Sequence, residues 1–301
     1  MGARPEALIV FTLEIARAEP RLFDELMDWM LVNESLLSVR RLRAMCIDET
    51  DRALTTAALG CLARRRPRAR LSSHRPTSAP TTLQPLFRVE GPVHETDEAF
   101  AAAGLQRPPL SPSHKSRPPD PTTPINLAFR LRDILGVGVR AEVVRVLLTI
   151  EAPWINAQTL ARSTCYAKRN VHDALAGLST AGVVSAVTVA AEQRYTADRS
   201  AWAALLGCEP DKLPSHRDWP QLLGALRRIL RWSEQPELVG MSDYLRASSA
   251  RDLIEAVRPD LAFTGIPTDL STSPENTLSD LEDVTESALM TMSASPQRVE
   301  E

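Results

Sequence analysis

A run in the middle of the chain collects the side chains best suited to recognise a polyanion. Ser163, Thr164, Lys168, Arg169, Asn170 and His172 stand close together, and Arg194 follows. Arginine, lysine and asparagine reach guanine and adenine edges in the major groove, and serine and threonine hydroxyls reach phosphate. Asp173 and Glu192 oppose this character, and the same residues would also suit a solvated helix face. Catalytic constellations are absent. Gly136-Val-Gly138 lacks the third glycine and the preceding strand of a dinucleotide loop. His74, His94, His114, His172 and His216 mostly fall in loop-like stretches without a carboxylate or cysteine partner. Cys46, Cys61, Cys165 and Cys208 are far apart and sit among apolar neighbours. That spacing predicts buried thiols in a reduced cytoplasmic protein, with no metal and no cofactor. The expectation is a protein that is not an enzyme.

The elements that must position these residues are legible from periodicity. Residues 140–150 and 156–164 show helical spacing, and a third helix runs from Ala167 to Ala181, closed by Gly182. Val171, Leu175 and Leu178 fall at i, i+4 and i+7 and bury one face of that helix. The opposite face then carries Arg169, His172, Asp173 and Ala176, with Lys168 and Asn170 beside it. A β-branched run over 183–189, a tip at 190–193 and Arg194-Tyr195-Thr196 predict two strands. Small Ala161, a turn at Cys165 and apolar Val171 have the spacing that sets two helices near a right angle.

Over 140–198 the chain resembles the winged helix-turn-helix transcriptional regulators of the MarR and ArsR type. The run from Asn170 to Val184 resembles their recognition helix leading into the wing. The resemblance implies a mainly α fold, with three helices plus a two-stranded wing and flanking accessory helices. It also implies a sequence-specific regulator of bacterial type that reads double-stranded DNA with the helix over 167–181. The DNA-contacting residues would be Ser163, Thr164, Lys168, Arg169, Asn170, His172 and Arg194. The alternative is a winged-helix assembly module that binds protein and not DNA, since one fold serves both. One departure stands out. The turn position is usually glycine because its φ is positive. Cys165 there would cost about 1 kcal/mol, so a longer, relaxed turn is expected.

The chain has 301 residues, which suggests two domains. Hydrophobic residues make up 44% and aromatic residues 5%, so the core must be largely aliphatic. The net charge of −3 conceals a basic middle and an acidic C-terminal third, an asymmetry suited to polyanion binding. Five segments are expected. Residues 1–63 form a helical region, with Arg40, Arg41 and Arg43 either reaching phosphate or, as is commoner for such residues, on the solvent face of an amphipathic helix. Residues 64–124 hold the basic run at 64–70 and about half of the 23 prolines. They read as a linker or extended segment, with one helical turn over 97–104. Residues 125–207 are the winged helix, with a lead-in helix carrying Ile134 and a closing helix carrying Trp202, Leu205 and Leu206. Residues 208–262 are helical, with Tyr244 and Leu245 on the apolar side of their second helix. A broad apolar stripe over 219–232 suggests a homodimer. Residues 263–301 are an acidic, disordered tail with at most a weak helix over 278–290. No apolar run is long enough to span a membrane, and Leu8–Leu13 is too short for a signal peptide. No residue cluster identifies a small-molecule effector.

Overall fold

The computed structural model describes residues 4–65, 82–89, 91, 93–268, 271 and 276–293. The chain is mainly helical, with two small sheets among the described residues. It divides into two compact units, residues 2–216 and the residues from Arg217 onward.

The first unit opens with α1 (Pro5–Ile15), α2 (Pro20–Val32), α3 (Val39–Ala44) and α4 (Glu49–Arg65). Proline starts α1 and α2, where its missing N–H has no helical partner to lose. Ser38 caps α3 by accepting from the Arg41 backbone. Beyond α4, where a linker or extended segment with one helical turn is expected, the described residues form short extended pieces and one helical turn. Short parallel strands β1 (Gln84–Pro85) and β2 (Leu105–Gln106) pair, and α5 (Glu98–Ala101) lies between them, capped by Asp97. Arg107 pins this segment down. Its buried guanidinium stands 5.1–5.7 Å from the ring centroids of Phe23, Phe87 and Phe100 and pairs with Asp24 at 2.8 Å. Asp28 on α2 accepts from Ser113, from the His114 backbone and from the Ser116 backbone. Proline keeps regular elements short here, but it does not forbid burial of Leu86, Phe100 and Leu110. Arg64 pairs with Glu98 and Arg65 donates to the Leu110 carbonyl; the rest of the basic run, 66–70, lies outside the described residues.

The middle of the chain supplies α6 (Leu127–Leu135), α7 (Val139–Thr149), β3 (Ile155–Asn156), α8 (Ala157–Thr164), α9 (Lys168–Thr180), β4 (Ser185–Val189), β5 (Glu192–Thr196) and α10 (Arg199–Leu206). Val171, Leu175 and Leu178 of α9 are buried, as their spacing predicts, against Val143, Val144, Leu148, Leu160 and Tyr195. Ile134 and Leu205 are exposed rather than core. Gly182 ends α9 at φ +72°, and Val183 N–H bonds back to Leu178, which is the Schellman closure. The sheet has three strands rather than two, in the order β3–β5–β4. At two residues, β3 is too short to show an alternating pattern. The hairpin turn is also tighter than expected. Val189 pairs with Glu192, leaving only Ala190 and Ala191 in the loop, at φ +49° and +66°. The turn at Cys165 is not relaxed either. Cys165 takes φ +57° and ψ +37°, the left-handed conformation, and its N–H bonds to Ala161 and Arg162.

Charge joins α1 and α3 to α6 and α7. Glu6 of α1 and Glu142 of α7 are fully buried beside three guanidiniums. Arg41 Nη1 lies 2.7 Å from Glu6 and 3.0 Å from Glu142. Arg132 lies 2.8 Å from Glu6 and 2.7 Å from Glu142, and Arg145 Nε lies 3.1 Å from Glu142. Arg41 is therefore interior, and its assignment to a solvent face is corrected. Burial alone would raise both carboxyls, but Arg41 and Arg132 outweigh it and hold them below the ordinary range.

The second unit contains α11 (Trp219–Ser233), α12 (Asp243–Leu261) and α13 (Thr277–Ser293). The stripe of α11 is covered by its own chain, with Ile229 packed against Ala250, Ile254 and Leu281. It therefore supplies no argument for a second copy. In the tail expected to be disordered apart from a weak helix over 278–290 lies α13, which buries Leu281, Val284 and Ala288. Tyr244 and Leu245 are exposed rather than core. No helix among the described residues is long and apolar enough to cross a membrane.

Candidate nucleic-acid interface

The α8–turn–α9 segment is built from short-range instructions. Asn156 caps α8, its side chain accepting from Thr159 N–H at 2.8 Å. Ala161 is small and buried where α8 and α9 meet. Ala167 precedes α9 without a side-chain cap, so the first-turn N–H groups keep the positive end of the helix dipole open.

The seven expected contact residues do not all reach the surface. Lys168, Arg169 and His172 are exposed on α9, beside exposed Asp173. Ser163 and Thr164 are buried, and their proposed phosphate contact is corrected. Arg4 donates to the Ser163 carbonyl, and Arg41 Nε donates to the Thr164 carbonyl at 3.1 Å. The Thr164 hydroxyl turns inward to Leu160 O at 2.7 Å. Asn170 is half-buried. With its amide oxygen toward Arg40, it accepts from both Nη atoms at 2.7 and 2.5 Å. Arg194 is exposed on β5, but Glu192 lies 3.3 Å away and also accepts from Asn156.

Two residues join this surface that periodicity missed. Arg40 of α3 reaches Asn170 and stacks 5.6 Å over the Tyr166 ring. Arg140, in the first turn of α7, lies against Gly177 of α9, its Nη2 3.5 Å from where a Cβ would stand. Arg40 was legible only as part of a basic triplet, and a single residue separates its fate from that of buried Arg41. Among the described residues, Arg40, Arg140, Lys168 and Arg169 make no ion pair. Three charges counted toward the basic middle, Arg132, Glu142 and Arg145, are buried and contribute nothing to this face. No cluster of His, Cys, Asp and Glu among the described residues is arranged to hold a metal ion.

Comparison with known proteins finds no matching family model, no similar curated protein and no similar solved structure.

Proposed function

We propose that this chain is a sequence-specific DNA-binding regulator in which α7, α8 and α9 form the helix-turn-helix unit of a winged helix and β4–β5 form its wing. The observation that carries the reading is the outer face of α9. Lys168, Arg169 and His172 are exposed on a helix whose other face is core, its N-terminus is uncapped, and Arg40 and Arg140 flank it. In this reading the phosphate contacts expected of Ser163 and Thr164 pass to the flanking arginines, while Arg169 meets a base edge.

Fluorescence anisotropy of labelled duplexes, titrated with salt, tests this directly. Lys168→Ala should weaken binding to every sequence and flatten the salt slope by about one unit. Arg169→Ala should cost roughly 1–3 kcal/mol on the preferred site and relax its preference. Asp173→Ala should strengthen nonspecific binding by removing a negative charge from the approach. A parent with no salt-dependent binding, or three variants that all bind like it, would overturn the reading.

A second reading has its own observation. Strand β4 is exposed along its length, with Val187 and Val189 bare on a free sheet edge, and Asn170 is occupied by Arg40. Those features suit an assembly module that docks another protein. This reading takes over if DNA binding fails and substitution of Val187 by Lys abolishes association with a partner.

A further inference from the structure

Beside α9 a cleft of about 420 Å³ opens between α3, the start of α7 and the first turns of α9. Its volume falls in the range of small-molecule sites. Arg40 and Arg140 line it from separate elements, the Arg140 guanidinium reaching along α9 toward Gly177, and Asp173 is the one carboxylate among the lining residues. Arg40 is held in place by the Asn170 amide oxygen and the Tyr166 ring, so little rotamer freedom remains to be lost on binding. Ser38 and Tyr166 also line it, and because their hydroxyls share one hydrogen bond at 3.4 Å, the pair has a single further donor. The first residues of α7 also line the cleft, after a Gly138 that offers no side-chain cap. Planar guanidiniums in pairs favour phosphate oxygens. Asp173 opposes a bare anion but would accept from a hydroxyl carried next to one.

We propose that this cleft binds a small phosphorylated polyol, with Arg40 and Arg140 on the phosphate and Asp173 on a hydroxyl of the remainder. Because Arg40 also grips Asn170, occupation is linked to the start of α9, so the ligand and DNA oppose one another. That linkage rests on the DNA-binding reading; the binding itself does not.

Calorimetric titration of the full chain, at constant ionic strength and without DNA, is the test, with inorganic phosphate, glucose 6-phosphate and glucose as probes. Glucose 6-phosphate should bind saturably at one site per chain and more tightly than inorganic phosphate, and glucose should not bind. Arg140→Gln removes an exposed side chain with no ion pair among the described residues, so the fold should survive, as a thermal melt checks. It should weaken phosphate and glucose 6-phosphate alike by about tenfold or more, and Arg40→Gln should do the same. Asp173→Asn should erase the advantage of glucose 6-phosphate and leave inorganic phosphate bound at least as tightly. Absence of saturable binding, or an Arg140→Gln variant that binds like the parent, overturns the proposal. Phosphate binding without DNA binding would sink the DNA reading and leave this site standing. DNA binding without phosphate binding would do the reverse, the phosphates of the duplex being then the only anions the arginines meet.

Discussion

Glu142 is the residue on which the buried charges depend most, because three guanidiniums converge on it. Removing its charge leaves Arg41, Arg132 and Arg145 short of a counter-ion in the interior. Glu142→Gln should therefore cost roughly 3–5 kcal/mol in urea unfolding. Arg145 is the opposite case. Burial first, then Arg4 and Arg41, pull its pKa down to about 9 against the attraction of Glu142, so its charge is held at a cost. Arg145→Met should be neutral or stabilising in the same experiment. His216 makes the first unit acid-sensitive. It bonds to Thr149 through its backbone N–H at 2.7 Å and meets the Thr149 hydroxyl with Nδ1 at 3.4 Å. Burial, then Arg4 and Arg145, push its pKa down from 6.5 to about 2. The unfolded chain takes up this proton below pH 6.5 and the folded chain does not. Stability is then fully present above pH 6.5 and falls below it, by up to roughly 1.4 kcal/mol per pH unit. His216→Gln should flatten that slope between pH 6.5 and 4.5. Below 4.5, the ordinary value for Glu6 and Glu142, protonation of those carboxylates should steepen the loss in both proteins. Denaturant midpoints at pH 7.5, 6, 5 and 4 separate the two effects.

Two turns around α9 store backbone strain at the scale of the element. Cys165 and the pair Ala190-Ala191 hold positive φ without being glycine. Left-handed backbone costs an ordinary residue about 1 kcal/mol, and the two-residue hairpin loop strongly prefers Asn-Gly. Cys165→Gly, and separately Ala190→Asn with Ala191→Gly, should each raise stability by up to about 1 kcal/mol, since relief of strain exceeds the added unfolded-state entropy. Differential scanning calorimetry reads the gain. A lowered melting temperature for the hairpin variant would show that the loop does not hold the two-residue register.

On the scale of the molecule, two units imply two cooperative transitions. Leu281 of α13 is buried against Ile229, Ala250 and Ile254. Leu281→Asp places an unpaired charge there and uncovers part of the α11 stripe. The unit from Arg217 onward should lose more than about 3 kcal/mol, while residues 2–216 melt as before. Hydrogen exchange followed by mass spectrometry can assign the loss to α11–α13. A uniform loss of protection across the whole chain would show one cooperative block instead of two.

The sequence by itself determined the elements whose instructions are local. The period of Val171, Leu175 and Leu178, the closure at Gly182 and the β-branched run after it place α9 and the hairpin within a residue or two of where they lie. Lys168, Arg169 and His172 were legible as exposed because their positions follow from that same period. Tertiary structure decided everything that depends on partners distant in sequence. Ser163 and Thr164 look available at a turn, yet Arg4 and Arg41 cover their carbonyls from more than a hundred residues away. Arg41 reads as surface charge, and only the folded chain brings it together with Glu6, Arg132 and Glu142 as a neutralising cluster. The segment after α4 reads as linker or extended chain because proline removes backbone donors, whereas its order comes from Arg107 set among three phenylalanine rings. Helical and strand periods report which way a side chain points relative to its own element, because backbone geometry fixes them. They carry no information about what stands opposite, and for a charged side chain that neighbour decides whether it lies in the interior or faces a ligand.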